Sequence, residues 1–191
     1  MGLLLLVSPR MNAHRANFDA WYKRSLDLLY PHRDAGFAIL LIAFPLLERY
    51  LRQRTGLASD QTLSDAFFDE LIRLFPSLKT STTARNFWQI YRNGLLHEIT
   101  LSRQARKGTP MPVGWVSHDK PLITIEADGS IWINPVEFGQ QVIVTIEADF
   151  STFEGTSTSS ARLPTVKPQS IATGTGAAPA PRIILGTNTD P

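Results

Sequence analysis

At 191 residues, with 43% hydrophobic and 19% charged side chains, the chain has the length and composition of one globular domain plus a tail, and is too short for two domains of ordinary size. A formal net charge of +2 is too small to indicate any partner, although a local basic patch is compatible with it. Cysteine is absent, which excludes disulfides, thiolate nucleophiles and Cys-based zinc or iron–sulfur sites; histidines 14, 32, 97 and 118 show neither HExxH nor i, i+4 spacing, so no metal and no other cofactor is expected.

Residues 1–12 read as an N-terminal extension. Its apolar run Leu3–Val7 lacks the basic region and the length of a signal-peptide core, so a cytoplasmic location is expected. From about Ala13 to Tyr30, Phe18, Trp21, Tyr22, Leu26 and Leu29 recur at three and four, which predicts an amphipathic helix stopped near Pro31. The next segment, His32 to Thr55, is apolar on all sides, the pattern of the central helix of a bundle, with Gly56 as its stop and a kink expected at Pro45. Its longest apolar stretch, Ala35 to Leu47, falls well short of the ~20 residues needed to span a bilayer. Near its end, Glu48 reads as an exposed residue pairing with Arg52 at i+4.

Ser59 or Asp60 is expected to cap a third helix, with Leu63, Phe67, Leu71, Leu74 and Phe75 as its buried stripe and Pro76 as its end. A fourth helix follows, from about Thr83 to Arg106, and its last turns are basic through Arg103, Arg106 and Lys107. These cations suit a helix C-terminus and an RNA phosphate equally well. After Gly108 the prolines end the helical pattern. Leu122–Ala127 and Ser130–Ile133 then predict a β-hairpin, 122–133, joined by a two-residue Asp128-Gly129 turn. Asn134-Pro135-Val136-Glu137 offers an N-cap, a proline at the first helical position and a glutamate at the third. It predicts a fifth helix to about Thr152, with Phe138, Val142, Ile146 and Phe150 on one face. Beyond it, more than half of the residues are Gly, Pro, Ser or Thr, so 153–191 is expected to be a disordered tail. Inside it, Thr173–Gly176 is too isolated to be a phosphate loop, and Arg182–Leu185 is a short apolar cluster. The domain proper is therefore 13–152, mainly α, with four or five helices and one hairpin.

The fourth helix carries the candidate chemistry. Leu95 and Ile99 fall within about 20° of Trp88 and Tyr91 about 60° from it, which makes this its core face. Asn93 and His97 point almost opposite, joined there by Ile90, Gly94 and Leu101, so the helix has a second apolar side. That side is expected to pack on the hairpin and fifth helix or on a second copy of the chain, which makes Ile90, Gly94 and Leu101 a candidate dimer interface. Arg92 lies about 140° round from His97 on an α-helix, so its long side chain has to curl toward the site.

Arg92, polar Asn93 and, after three further residues, His97 resemble the Arg-x4-6-His signature of the HEPN family of small helical bundles. The resemblance covers about Ala13 to Lys107. It implies a homodimer in which two motifs line one RNA-binding cleft, and metal-independent endoribonuclease activity leaving 2′,3′-cyclic phosphate ends. Arg92 would then steady the phosphate, His97 transfer protons and Asn93 orient one of them, with Arg103, Arg106 and Lys107 on the RNA backbone. The resemblance further implies a toxin–antitoxin, defence or stress setting with a possible antitoxin or effector partner. In the toxin branch whose motif ends in His-x-Tyr, that tyrosine is adenylylated; this chain has Ile99 there, so that control is not expected. The alternative within the family is a non-catalytic module that binds RNA or protein.

Overall fold

The computed structural model describes residues 9–98 and 112–155, the side chains of 9–13 and 96–98 excepted. Among them the chain is mainly helical and carries one small three-stranded sheet. The first helix, α1, winds as an α-helix over Pro9–Phe18, as a π-helix over Asp19–Lys23 and as an α-helix again over Arg24–Leu29, so it begins before the expected Ala13. Phe18 and Leu26 are buried, but Trp21, expected on the same stripe, is 50% exposed. The π turn explains this. Its i→i+5 bonds add a residue to the turn and shift the positions that face inward.

A single 3-10 turn, Arg33–Ala35, leads into α2, Gly36–Thr55. Ile39, Leu40, Ala43, Phe44, Leu46 and Leu47 are buried, whereas Phe37 and Leu41, four apart on one side, are exposed. The helix is therefore central without being enclosed all round. It runs on through Pro45 and stops at Gly56 (φ 68°), where the Leu57 N–H reaches the Arg52 carbonyl at 2.8 Å and the Gly56 N–H the Gln53 carbonyl at 3.3 Å. This double closure satisfies carbonyls that the last turn leaves open.

Helix α3, Asp65–Leu74, is capped by Ser64, whose hydroxyl accepts from the Phe67 N–H at 3.4 Å. Ser59 and Asp60 lie instead in the preceding loop, which is held by Arg52. A 3-10 turn, Pro76–Leu78, follows. Helix α4 starts at Ser81, two residues before the expected Thr83, because Thr80 caps it through the Thr83 N–H at 3.2 Å. It is α-helical to Phe87 and π-helical over Trp88–Glu98. The remainder of the expected fourth helix lies outside the described residues.

The sheet has the order β1-β3-β2, with β1 Gly114–Val116, β2 Ile123–Ile125 and β3 Ile131–Ile133. The expected hairpin is β2–β3, antiparallel, with Ile123 opposite Ile133. Its loop is three residues long, not two: the Glu126 N–H bonds the Ser130 carbonyl at 3.0 Å, and the Gly129 N–H returns to the Glu126 carbonyl at 3.0 Å. A two-residue turn of this kind needs positive φ at both central residues, but here only Gly129 (φ 84°) has it and Asp128 does not. The Asp128 carboxylate instead accepts the Ser130 N–H at 2.9 Å. Strand β1, which the sequence pattern did not announce, pairs parallel to β3 with Trp115 beside Trp132. On that outer face the two indoles stack with centroids 5.5 Å apart, while Ile123, Ile131 and Ile133 are buried on the inner face.

Asn134 is buried and caps α5, Pro135–Ala148, accepting from the N–H groups of Val136 (3.1 Å) and Glu137 (3.2 Å). Its amide donates to the carbonyls of His118 (3.1 Å) and Lys120 (3.0 Å), so the cap also pins the loop between β1 and β2. The fifth helix breaks at Asp149 (φ −138°, ψ 55°), and a short α6 follows, Phe150–Glu154. Phe153, assigned to the tail by composition, is fully buried against Phe18, with ring centroids 5.4 Å apart. The Arg49 guanidinium donates to the carbonyls of Phe153 (3.0 Å) and Glu154 (3.1 Å) and so closes the end of α6. Residues 156–191 lie outside the described residues.

An aromatic cluster joins these elements. Phe44 of α2 lies 4.7 Å from Phe138 of α5, 5.7 Å from Phe87, 5.8 Å from Trp88 and 6.3 Å from Tyr91 of α4, centroid to centroid. Among the described residues no helix is long and apolar enough to cross a membrane. The caps generate a test. Asn134→Ala removes a cap and leaves two loop carbonyls without their donor, an expected loss of about 2–3 kcal/mol, whereas Ser64→Ala removes a cap alone and costs about 1 kcal/mol. Urea unfolding of the two variants should rank them in that order.

Candidate functional site

Trp88, Tyr91 and Leu95 are buried, as the core face of the motif helix requires. The winding is what changes the geometry of the motif. Between Trp88 and Glu98 the helix is π rather than α. The wider turn closed by i→i+5 bonds brings positions five apart closer round the axis than an α-helix does, and 92 and 97 are such a pair. The angular separation expected from an α-helix therefore does not apply. The side chain of His97 lies outside the described residues, as do Ile99, Leu101, Arg103, Arg106 and Lys107.

Arg92 does not reach across open solvent. Its Nε donates to Glu48 Oε2 at 2.7 Å and its Nη1 to the Asn93 side-chain oxygen at 3.2 Å. Glu48 comes from α2, where the expected Arg52 partnership also forms, Arg52 Nε to Glu48 Oε1 at 2.9 Å. The expectation of an exposed Glu48 is corrected. Its side chain is 13% exposed, and each carboxylate oxygen takes one guanidinium. Packing α4 across α2 produces this, because the face of α2 one turn before Arg52 is the face that meets Arg92. Asn93 is half-buried and turned toward Arg92.

The second apolar side of α4 is also accounted for. Ile90 and Gly94 are buried within the single chain. Ile90 lies so close to Gly114 of β1 that any Cβ there would collide with Ile90 Cγ2, so glycine is required by the close approach. Of the two partners expected for this side, the sheet takes Ile90. Tyr91 completes the junction. Its hydroxyl accepts from the Trp115 N–H at 3.0 Å and can donate to the Ile131 carbonyl at 2.5 Å or the Trp115 carbonyl at 2.9 Å. It therefore sits at the seam between β1 and β3. Sequence periodicity marked Tyr91 only as a core residue; its hydroxyl contacts depend on a strand 24 positions away.

Among the described residues no group of three or more His, Asp or Glu side chains could hold a metal ion. Chemically, then, the arrangement offers a part-exposed guanidinium whose orientation is set by a carboxylate and an amide, on a helix that brings position 97 to the adjacent turn. Comparison of the chain with protein-family models, with curated proteins and with solved structures finds no match.

Burial raises the Tyr91 phenol above its ordinary range near 10, and burial together with Asp27 pushes Tyr30 up to about 12. Above pH ~10 the unfolded chain loses these protons while the folded chain keeps them, so stability present below that pH is lost as pH rises. Urea midpoints should therefore fall progressively above pH ~10. Tyr91→Phe should be less stable near neutrality by about 1–3 kcal/mol yet show a shallower alkaline decline, since it lacks one of the titrating groups.

Proposed function

We propose that this chain is a HEPN-like, metal-independent endoribonuclease acting in a toxin–antitoxin, defence or stress setting. The observation that carries the reading is the π winding of the motif helix, which brings positions 92 and 97 closer round the axis than an α-helix would, while Glu48 and Asn93 orient Arg92. An RNA-cleaving site needs that combination: a fixed cation against the scissile phosphate and an imidazole within reach of the same group.

In this reaction His97 takes the proton of the 2′-hydroxyl as the 2′-oxygen attacks phosphorus, and Arg92 stabilises the charge that builds on the phosphoryl oxygens. The bond from phosphorus to the 5′-oxygen then breaks, and that oxygen takes a proton. The products are a 2′,3′-cyclic phosphate and a 5′-hydroxyl. In a homodimer of the kind the resemblance implies, the second His97 supplies that proton; in a monomer, water does. Arg103, Arg106 and Lys107 extend the site along the RNA backbone in this reading.

A second reading has an observation of its own. The hydrogen bonds from Arg92 to Glu48 and Asn93 are also what a structural arginine makes, and they favour a non-catalytic module that binds RNA or protein. The two separate when purified wild type and His97→Ala are incubated with diverse RNAs in EDTA and product ends are mapped. Wild type should leave 2′,3′-cyclic phosphate ends, and His97→Ala should be slower by roughly 10²- to 10⁴-fold. Equal rates in the two proteins would refute the catalytic reading; RNA retention without cleavage by wild type would support the module.

A further inference from the structure

We infer that Arg52 is a positioning residue for Arg92, acting through Glu48; the inference rests on the reading of Arg92 as the cation that meets the phosphate. Arg52 stands at the point where α2 ends. Its carbonyl accepts the Leu57 N–H at 2.8 Å, which folds the chain back over its own side chain. Its Nη1 donates to the carbonyls of Ala58 (2.8 Å) and Gln61 (3.0 Å) in the loop between α2 and α3, and its Nε donates to Glu48 Oε1 (2.9 Å). The loop itself is closed by the Gln61 side chain, whose oxygen accepts the Ala58 N–H at 2.9 Å.

A guanidinium is planar, so three bonds from two of its nitrogens fix its plane as well as its position. That fixed plane holds one oxygen of Glu48. The other oxygen is held by Arg92 Nε at 2.7 Å, so the carboxylate cannot turn about its own axis without breaking one of the two bonds. The side chains of Arg52 and Glu48 are both close to buried, 15% and 13% exposed, and that of Arg92 opens to solvent at 25%. The order runs from a loop through two shielded groups to one that solvent can reach. Take Arg52 away and Oε1 is released. Glu48 is then free to rotate and to engage Arg92 with both oxygens, the bidentate geometry that a lone carboxylate and guanidinium prefer. Arg52 thus determines how Glu48 presents Arg92, without touching the substrate.

The test reads Arg92 directly. In ¹H–¹⁵N spectra of the full chain, the Arg92 Nε–H resonance is identified by its loss in Arg92→Lys. Arg52→Met should shift it, and Arg52→Lys, which keeps a charge near Glu48 but cannot also hold both loop carbonyls, should shift it less. Arg54→Met is the control: Arg54 lies on the same helix but pairs with Glu70 (3.4 Å) and Asp149 (3.2 Å), so its loss should leave the Arg92 resonance in place. With RNA as substrate, Arg52→Met should lower kcat by about 10²-fold with little change in KM, the pattern of a reacting group held out of place. An unmoved Arg92 resonance in Arg52→Met, or an equal shift in Arg54→Met, overturns the inference. Absence of RNA cleavage by wild type overturns the enzymatic reading alone, because the resonance still reports whether Arg52 orients Arg92.

Discussion

The Tyr91 side chain is the junction on which the arrangement of this protein depends. Its ring belongs to the aromatic cluster around Phe44, and its hydroxyl ends at the seam of β1 and β3. A buried hydroxyl without partners is costly, and so is an unpaired strand amide; the single bond network removes both penalties. The same contact fixes the rotation of the motif helix about its axis. With Tyr91 held inward and Ile90 pressed on Gly114, the adjacent Arg92 emerges toward α2 and Glu48.

Charge is handled in the same economical way across the bundle. Glu48 serves two arginines, and Glu147 of α5 likewise receives Arg15 at 3.2 Å and Lys23 at 2.6 Å from α1. Arg54 joins Glu70 of α3 and Asp149 at the end of α5. These shared carboxylates lie where helices meet, so each one ties elements that the chain separates widely. Exposed pairs contribute little to stability, and the Glu147 and Arg54 links are part-exposed. The shielded Glu48 differs because removing either arginine leaves a carboxylate that its surroundings cannot solvate as well.

Helical winding is the second constraint. Two stretches, Asp19–Lys23 and Trp88–Glu98, depart from 3.6 residues per turn. In α1 the departure turns Trp21 out of the core. In α4, Trp88, Ile90, Tyr91, Gly94 and Leu95 of the π stretch are all buried, with Trp88 and Tyr91 meeting Phe44 of α2 and Ile90 and Tyr91 meeting the sheet. Such windings are rare, and they change which way the residues within them point. Here the residues re-aimed are those of the motif.

Local patterns in the sequence determined the helical segments, the stop at Gly56, the β2–β3 hairpin and the Asn134 cap, because each depends on side chains within a few residues of one another. They also determined that α4 buries two sides. Tertiary structure decided the rest. The strand β1 is three residues long and exists only through its pairing with β3, so no periodicity could mark it. The burial of Phe153 needed α1 and α2 to come to it, and composition alone put it in a tail. Glu48 and Arg52 were legible as an i, i+4 pair, but the third member, Arg92, is 44 residues on and reaches Glu48 only because Tyr91 and Ile90 set the turn of α4 against the sheet. Periodicity assumes one helical pitch, so the angle between positions 92 and 97 that it predicts holds only for an α-helix, and the wider turn over Trp88–Glu98 is visible only in the folded chain.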